Sequence, residues 1–169
     1  VTVTVLIGAQ ATANPALLVF TPGNWNIPQD VTVAAVDDLV AEGSHTATAQ
    51  HAAASADPHY NGAAVQDVTV HIADNDSAGV RITESSGDTR VAEGGNSDSY
   101  SVVLVTQPTA DVVLTVTGGA HALVDKNQLT FTPANWNAPQ DVAVMAVDDA
   151  IAEGPHTATL LHAAASADG

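Results

Sequence analysis

Apolar and polar residues alternate along much of this chain. Tyr100, Val102 and Leu104 fall on one side of an extended segment, as do Val68, Val70 and Ile72, and again Val142, Val144 and Ala146. A period of two marks a half-buried β-strand, and no stretch carries the 3.6-residue stripe of an amphipathic helix. The alanine-rich run 52–56 follows the alternating His45-Thr46-Ala47-Thr48 and is read as strand for that reason. Turn chemistry lies between the runs, as in Thr21-Pro22-Gly23-Asn24, Ser85-Ser86-Gly87-Asp88 and Gly118-Gly119. The pattern predicts strands at 1–6, 17–20, 30–36, 45–53 and 64–73. Further strands are predicted at 79–83 with 89–92, 99–106, 111–117, 128–131, 141–147 and 156–164.

These strands belong to a repeat. The segment Phe20-Thr21-Pro22-Gly23-Asn24-Trp25-Asn26-Ile27-Pro28-Gln29-Asp30-Val31 returns 111 residues later as Phe131-Thr132-Pro133-Ala134-Asn135-Trp136-Asn137-Ala138-Pro139-Gln140-Asp141-Val142. Without a gap, residues 1–58 align with 112–169 at 36 identical positions of 58. Such a period is too long for a solenoid turn and suits a β-sandwich domain. The expectation is therefore all-β, with tandem antiparallel sandwich modules. If a full module has seven strands, A to G, residues 1–76 hold C to G and residues 77–169 hold A to F. Both ends then fall inside a repeat, and the chain is expected to continue into, or pack against, further repeats.

Charge narrows the partners. Nineteen acidic residues against three basic ones (Arg81, Arg90 and Lys126) give a net charge of −16. Nucleic acid and anionic membranes need clustered Lys and Arg, so neither is an expected partner. There is no cysteine, which removes disulfides and thiolate metal sites. No apolar run approaches the roughly 20 residues of a membrane-spanning helix. Ala, Val and Thr dominate, so any core is built from small and β-branched side chains.

The carboxylates gather where strands end. Asp37, Asp38 and Glu42 share one loop, Asp74 and Asp76 follow a strand, and Glu93, Asp148, Asp149 and Glu153 repeat the theme. Hard cations take six to eight oxygen ligands, and converging loops at one end of a sandwich can supply several. The Asp-Asp-x-x-x-Glu-Gly loop can place two carboxylates at a strand end and return a third, with Gly43 or Gly154 permitting the reversal.

Three motifs in order carry a resemblance: Val-Asp-Asp-x-x-x-Glu-Gly after a strand, a terminal Asp74-Asn75-Asp76, and the Val91-Ala92-Glu93-Gly94-Gly95 opening. Together they resemble Calx-β repeats, calcium-binding immunoglobulin-like sandwiches of exchangers, integrin-type receptors and very long bacterial surface proteins. The Trp-containing segment is most similar to the bacterial tandem form. The resemblance spans essentially the whole chain in two partial copies. It implies calcium ligands at Asp38, Glu42, Asp74 and Asp76 with Asp37 adjacent, and at Glu93, Asp149 and Glu153 with Asp148 adjacent. It also implies possible roles for the Val40 and Ile151 carbonyls. Where the family often has another acid after Glu-Gly, this chain has His45 and His156.

Other candidates are weaker. His45 with His51, and His156 with His162, lie six apart and can share a strand face, as a transition-metal pair or, more commonly, as ordinary strand histidines. Trp25 and Trp136 sit in turns, where they either plug the end of a module or stack on a sugar. Tyr60 is read as a loop anchor. No nucleophile elbow, zinc-protease motif or phosphate loop is present, so no enzyme is expected. The reading is a calcium-binding stalk or fibre of an extracellular, adhesin-like bacterial protein. Its expected partners are neighbouring repeats or copies of the same protein. The alternatives are a self-assembling filament subunit, or a module of a secreted hydrolase that binds polysaccharide or surface glycans.

Overall fold

The computed structural model describes residues 1–168, and every regular element among them except one is a strand. The chain forms two compact units. One comprises Val1–Asp38 and Glu42–Asn75; the other takes Leu39–Ala41 and the residues from Asp76 onward. The division at Asn75 and Asp76 lies beside the 76/77 boundary read from the repeat.

In the first unit, β1 (Thr2–Leu6), β3 (Leu17–Val19), β5 (His45–Ala54) and β6 (Val68–Ile72) form an antiparallel sheet in the order β3-β1-β5-β6. A separate pair joins β2 (Ala11–Asn14) to β4 (Thr32–Ala35). Strand β5 is long because two partners share it: His45–Ala49 pair with β6 and Gln50–Ala54 with β1. Its odd-numbered positions turn inward, and Ala49 is fully enclosed. The buried hydrophobic residues described in this unit are Val5, Ala11, Ala49 and Ile72, a thin core of mostly small side chains.

The second unit has a four-stranded sheet, β10-β12-β8-β7, and a three-stranded one, β11-β9-β13, all antiparallel. The strands are β7 (Val80–Glu84), β8 (Asp98–Leu104), β9 (Val112–Thr117), β10 (Ala122–Val124), β11 (Gln128–Phe131), β12 (Gln140–Ala146) and β13 (Leu161–Ser166). Both sheets feed one core. Tyr100, Val102 and Leu104 from β8 and Val142 and Val144 from β12 meet Leu114 and Val116 from β9 and Leu129 and Phe131 from β11. The alternation read from the sequence therefore selects the buried face on each of these strands.

Several expectations about elements change, the strand read at 64–73 among them, which starts at Val68. Strands β2 and β10 were not anticipated; each is short and occupies the same place in its copy, since Ala11 and Ala122 are 111 residues apart. Residues 89–92 are not a strand. The amide of Arg90 donates to Asp98 Oδ2 (2.8 Å), and Gly95 closes a turn onto Ala92. That Arg90 amide first, then the Ser85 hydroxyl and the Ser99 amide, hold the Asp98 carboxyl below the ordinary aspartate pKa. Strand β4 is shorter than 30–36, whereas its counterpart β12 runs longer beside β8. Finally, 156–164 becomes Leu161–Ser166: residues 156–160 correspond to the half of β5 that pairs with β6, and no described strand plays that role in the second unit.

Candidate metal sites

In the first copy the acidic loop leaves β4 and returns at β5. Gly43 takes a left-handed φ of 68°, and Gly154 takes the same 68° in the second copy, so the reversal uses glycine twice at the same place. Asp74, just beyond β6, accepts the amides of Glu42 (2.7 Å) and Gly43 (2.8 Å) through one carboxylate oxygen. A charged acceptor on two adjacent amides ties the turn to the end of β6. Glu42 accepts the Gln10 side-chain amide at 2.5 Å and lies 3.7 Å from His45 Nε2. The His45 Nδ1 is 2.8 Å from the Gly43 carbonyl. Glu42 and Asp74 are thus brought together. Asp37 and Asp38 lie on the exposed stretch of the loop, and Asp76 belongs to the second unit.

The second copy arranges its carboxylates differently. Asp148 lies beside Gly94, where an added Cβ would be 3.8 Å from Asp148 Oδ1, so the loop after β12 meets the turn that carries Glu93. Asp149 accepts the amide of Ile151 at 2.7 Å. Glu153 turns to two histidines: its Oε2 is 3.2 Å from His121 Nδ1 and 3.6 Å from His156 Nε2. The two imidazoles meet edge to face with centroids 4.7 Å apart. One ligand atom from each of His121, Glu153 and His156 falls within 4.8 Å of the others. Among the described residues, Glu153 therefore gathers with histidines rather than with Glu93, Asp148 and Asp149.

His121 was not singled out from the sequence. The available signal was the repeat itself, because His121 stands where the first copy has Gln10. The pairing of His156 with His162 does not form. The Nε2 of His162 is 2.8 Å from the Tyr100 hydroxyl, and the rings meet edge to face at 5.5 Å. Burial lowers the His162 pKa and raises that of Tyr100, with the Asp125 charge adding to the tyrosine's shift. Both shifts favour the uncharged forms, between which one hydrogen is shared from the Tyr100 hydroxyl to His162 Nε2 or the reverse, according to the tautomer. In the first copy, the buried Nε2 of His45 and Nδ1 of His51 have no hydrogen-bond partner.

Both histidine arms of the second copy border a cleft of about 960 Å³ that reaches inward to Tyr100, Val144 and His162. It lies against the unpaired residues 156–160. The tryptophan turns diverge too. Trp136 packs on the core, but Trp25 is 71% exposed, so only the second copy's residue plugs a core. The backbone of the second turn is also anchored, the Leu104 amide on β8 donating to the Trp136 carbonyl at 3.1 Å, and among the described residues the first unit has no strand in that position. Tyr60 is exposed; its turn is held instead by Asp57, which accepts the His59 amide at 3.0 Å. No family model, characterised protein or solved structure matches the chain.

Proposed function

We propose that the chain is a run of immunoglobulin-like, Calx-β-like modules that bind calcium through their acidic loops. It would serve as a structural stalk or fibre of a large extracellular bacterial protein, adhesin-like rather than catalytic. The observation that carries this reading is the recurrence of one loop. Asp-Asp-x-x-x-Glu-Gly returns with the same left-handed glycine and the same contact between a histidine Nδ1 and the glycine carbonyl, 2.8 Å in one copy and 2.9 Å in the other. A device built twice at the end of equivalent strands suits an array better than a single active cleft. A net charge of −16 gives a cation a second way to stabilise the fold, by relieving self-repulsion.

Extracellular calcium modules bind at about 10⁻⁴ to 10⁻³ M, so millimolar calcium adds roughly 0.4 to 1.4 kcal/mol per site. Thermal melts should rise by a few degrees in calcium and much less in magnesium, whose rigid octahedral demand suits these loops poorly. Glu42→Gln should weaken calcium binding in calorimetry while the circular dichroism spectrum stays the same. Equal midpoints in calcium, magnesium and chelator would refute the calcium reading. The recurrence of an aromatic in both Thr-Pro-x-Asn-Trp-Asn turns favours a second reading, a glycan-stacking module. Glycan binding that vanishes in Trp25→Ala would support it.

A further inference from the structure

The geometry points to a site for a first-row transition dication, zinc being the representative, on His121, Glu153 and His156 of the second copy. This goes beyond the calcium reading, since two of the three ligands are imidazoles and calcium takes oxygen. Two imidazole nitrogens and a carboxylate are a ligand set for zinc and its neighbours, with one coordination position left open for water.

Three observations carry the assignment. The first is spacing. The two edges from Glu153, 3.2 and 3.6 Å, lie near the separation of about 3.3 Å that tetrahedral bonds of about 2.0 Å require, and all three ligand atoms fall within 4.8 Å, so a bound ion draws the two imidazoles together. The second is orientation. The Gly154 carbonyl, 2.9 Å from His156 Nδ1, can only accept, so Nδ1 carries the hydrogen. With Nδ1 so engaged, Nε2 is the nitrogen left to face Glu153 Oε2, and it offers a lone pair once it gives up any proton to an incoming metal. Two electron-rich atoms at that distance are relieved by a cation between them, and a backbone carbonyl that fixes the tautomer is the usual outer support of a metal-binding histidine.

The third observation is an internal comparison. The first copy repeats Glu42, Gly43 and His45 with the same Nδ1 contact, but Gln10 replaces the second histidine and satisfies Glu42 with an amide donor. The second histidine thus distinguishes a Glu-Gly-x-His loop that presents three ligands from one whose glutamate takes an amide and whose turn is also held by Asp74. The same comparison supplies a variant compatible with the fold, because glutamine already occupies this position in the first copy.

Calorimetric titration of the 1–169 chain with zinc, alongside the visible absorption of cobalt(II), tests the assignment. One zinc per chain is expected. His121→Gln and His156→Gln should each weaken binding at least about tenfold, since the loss of even a supporting partner costs that much. Gln10→His should raise the stoichiometry to two. Asp148→Asn, which removes a calcium candidate, should leave zinc binding intact, so the two cation readings fail separately. Melts of His121→Gln in chelator should match those of the unaltered chain. The assignment would be overturned by the absence of zinc uptake, or by uptake that persists unchanged in both histidine variants.

Discussion

At the scale of single residues, the contact between Tyr100 and His162 makes stability depend on pH in a definite direction. Burial holds the His162 pKa below that of a histidine in the unfolded chain, so the unfolded state takes up this proton first as pH falls. The contribution is fully present above about pH 6.5 and is lost as pH drops below that toward the folded value. A protonated imidazole has donors only, so the contact then requires the Tyr100 oxygen to accept. The melting temperature should therefore fall between pH 7 and 5, and His162→Gln should flatten that fall. Equal slopes in the two proteins would remove His162 from the account. A histidine on an alternating strand was visible in the sequence, but the tyrosine opposite, 62 positions earlier, was not.

At the scale of elements, the turn from β9 to β10 shows how equal loops can differ. Each copy spends four residues between these strands, Ile7–Gln10 in one and Gly118–His121 in the other. In the second copy a Cβ on Gly118 would collide with the carbonyl oxygen of Ala122. Gly118→Ala should therefore destabilise the protein by about 1–3 kcal/mol, the usual cost of overpacking, as read from denaturant unfolding. A neutral result would mean that the turn relaxes to the form that accommodates Ile7. The short strand that follows each turn, β2 or β10, escaped the alternation reading because three or four residues carry too little pattern. Only pairing with β4 or β12 defines it as a strand.

At the scale of the molecule, the two units bury equivalent residues unequally. Phe131 is completely enclosed between the sheets of the second unit, whereas its repeat partner Phe20 is only half-buried. Removing a fully buried phenylalanine costs about 3–5 kcal/mol through lost transfer energy and the cavity left behind. Phe131→Ala should fall in that range and Phe20→Ala well below it, each followed by thermal or urea unfolding. Comparable losses would show that the first unit holds a tighter core than its few buried residues indicate. The nearly identical dodecamers do not carry this difference; the reading of 1–76 as C to G and 77–169 as A to F does, since burial depends on which strands lie opposite.

What the sequence determined by itself is local. The Thr-Pro-x-Asn-Trp-Asn turn forms identically in both copies: Asn24 Oδ1 accepts the Thr21 amide at 2.5 Å, and Asn135 Oδ1 accepts that of Thr132 at 2.6 Å. Gln29 and Gln140 then reach back to the Val19 and Thr130 carbonyls at 2.9 and 2.8 Å. Every partner lies within ten residues, so neither turn needs the rest of the molecule. The left-handed glycines and the strand faces were legible for the same reason. The tertiary structure alone decided the fates that hang on distant partners. It left Trp25 exposed and packed Trp136, paired 45–49 but not 156–160, and turned Glu42 to an amide and Glu153 to two imidazoles. These outcomes depend on which strands lie opposite each copy, and that follows from the division of the chain into C to G and A to F rather than from the repeated local sequence.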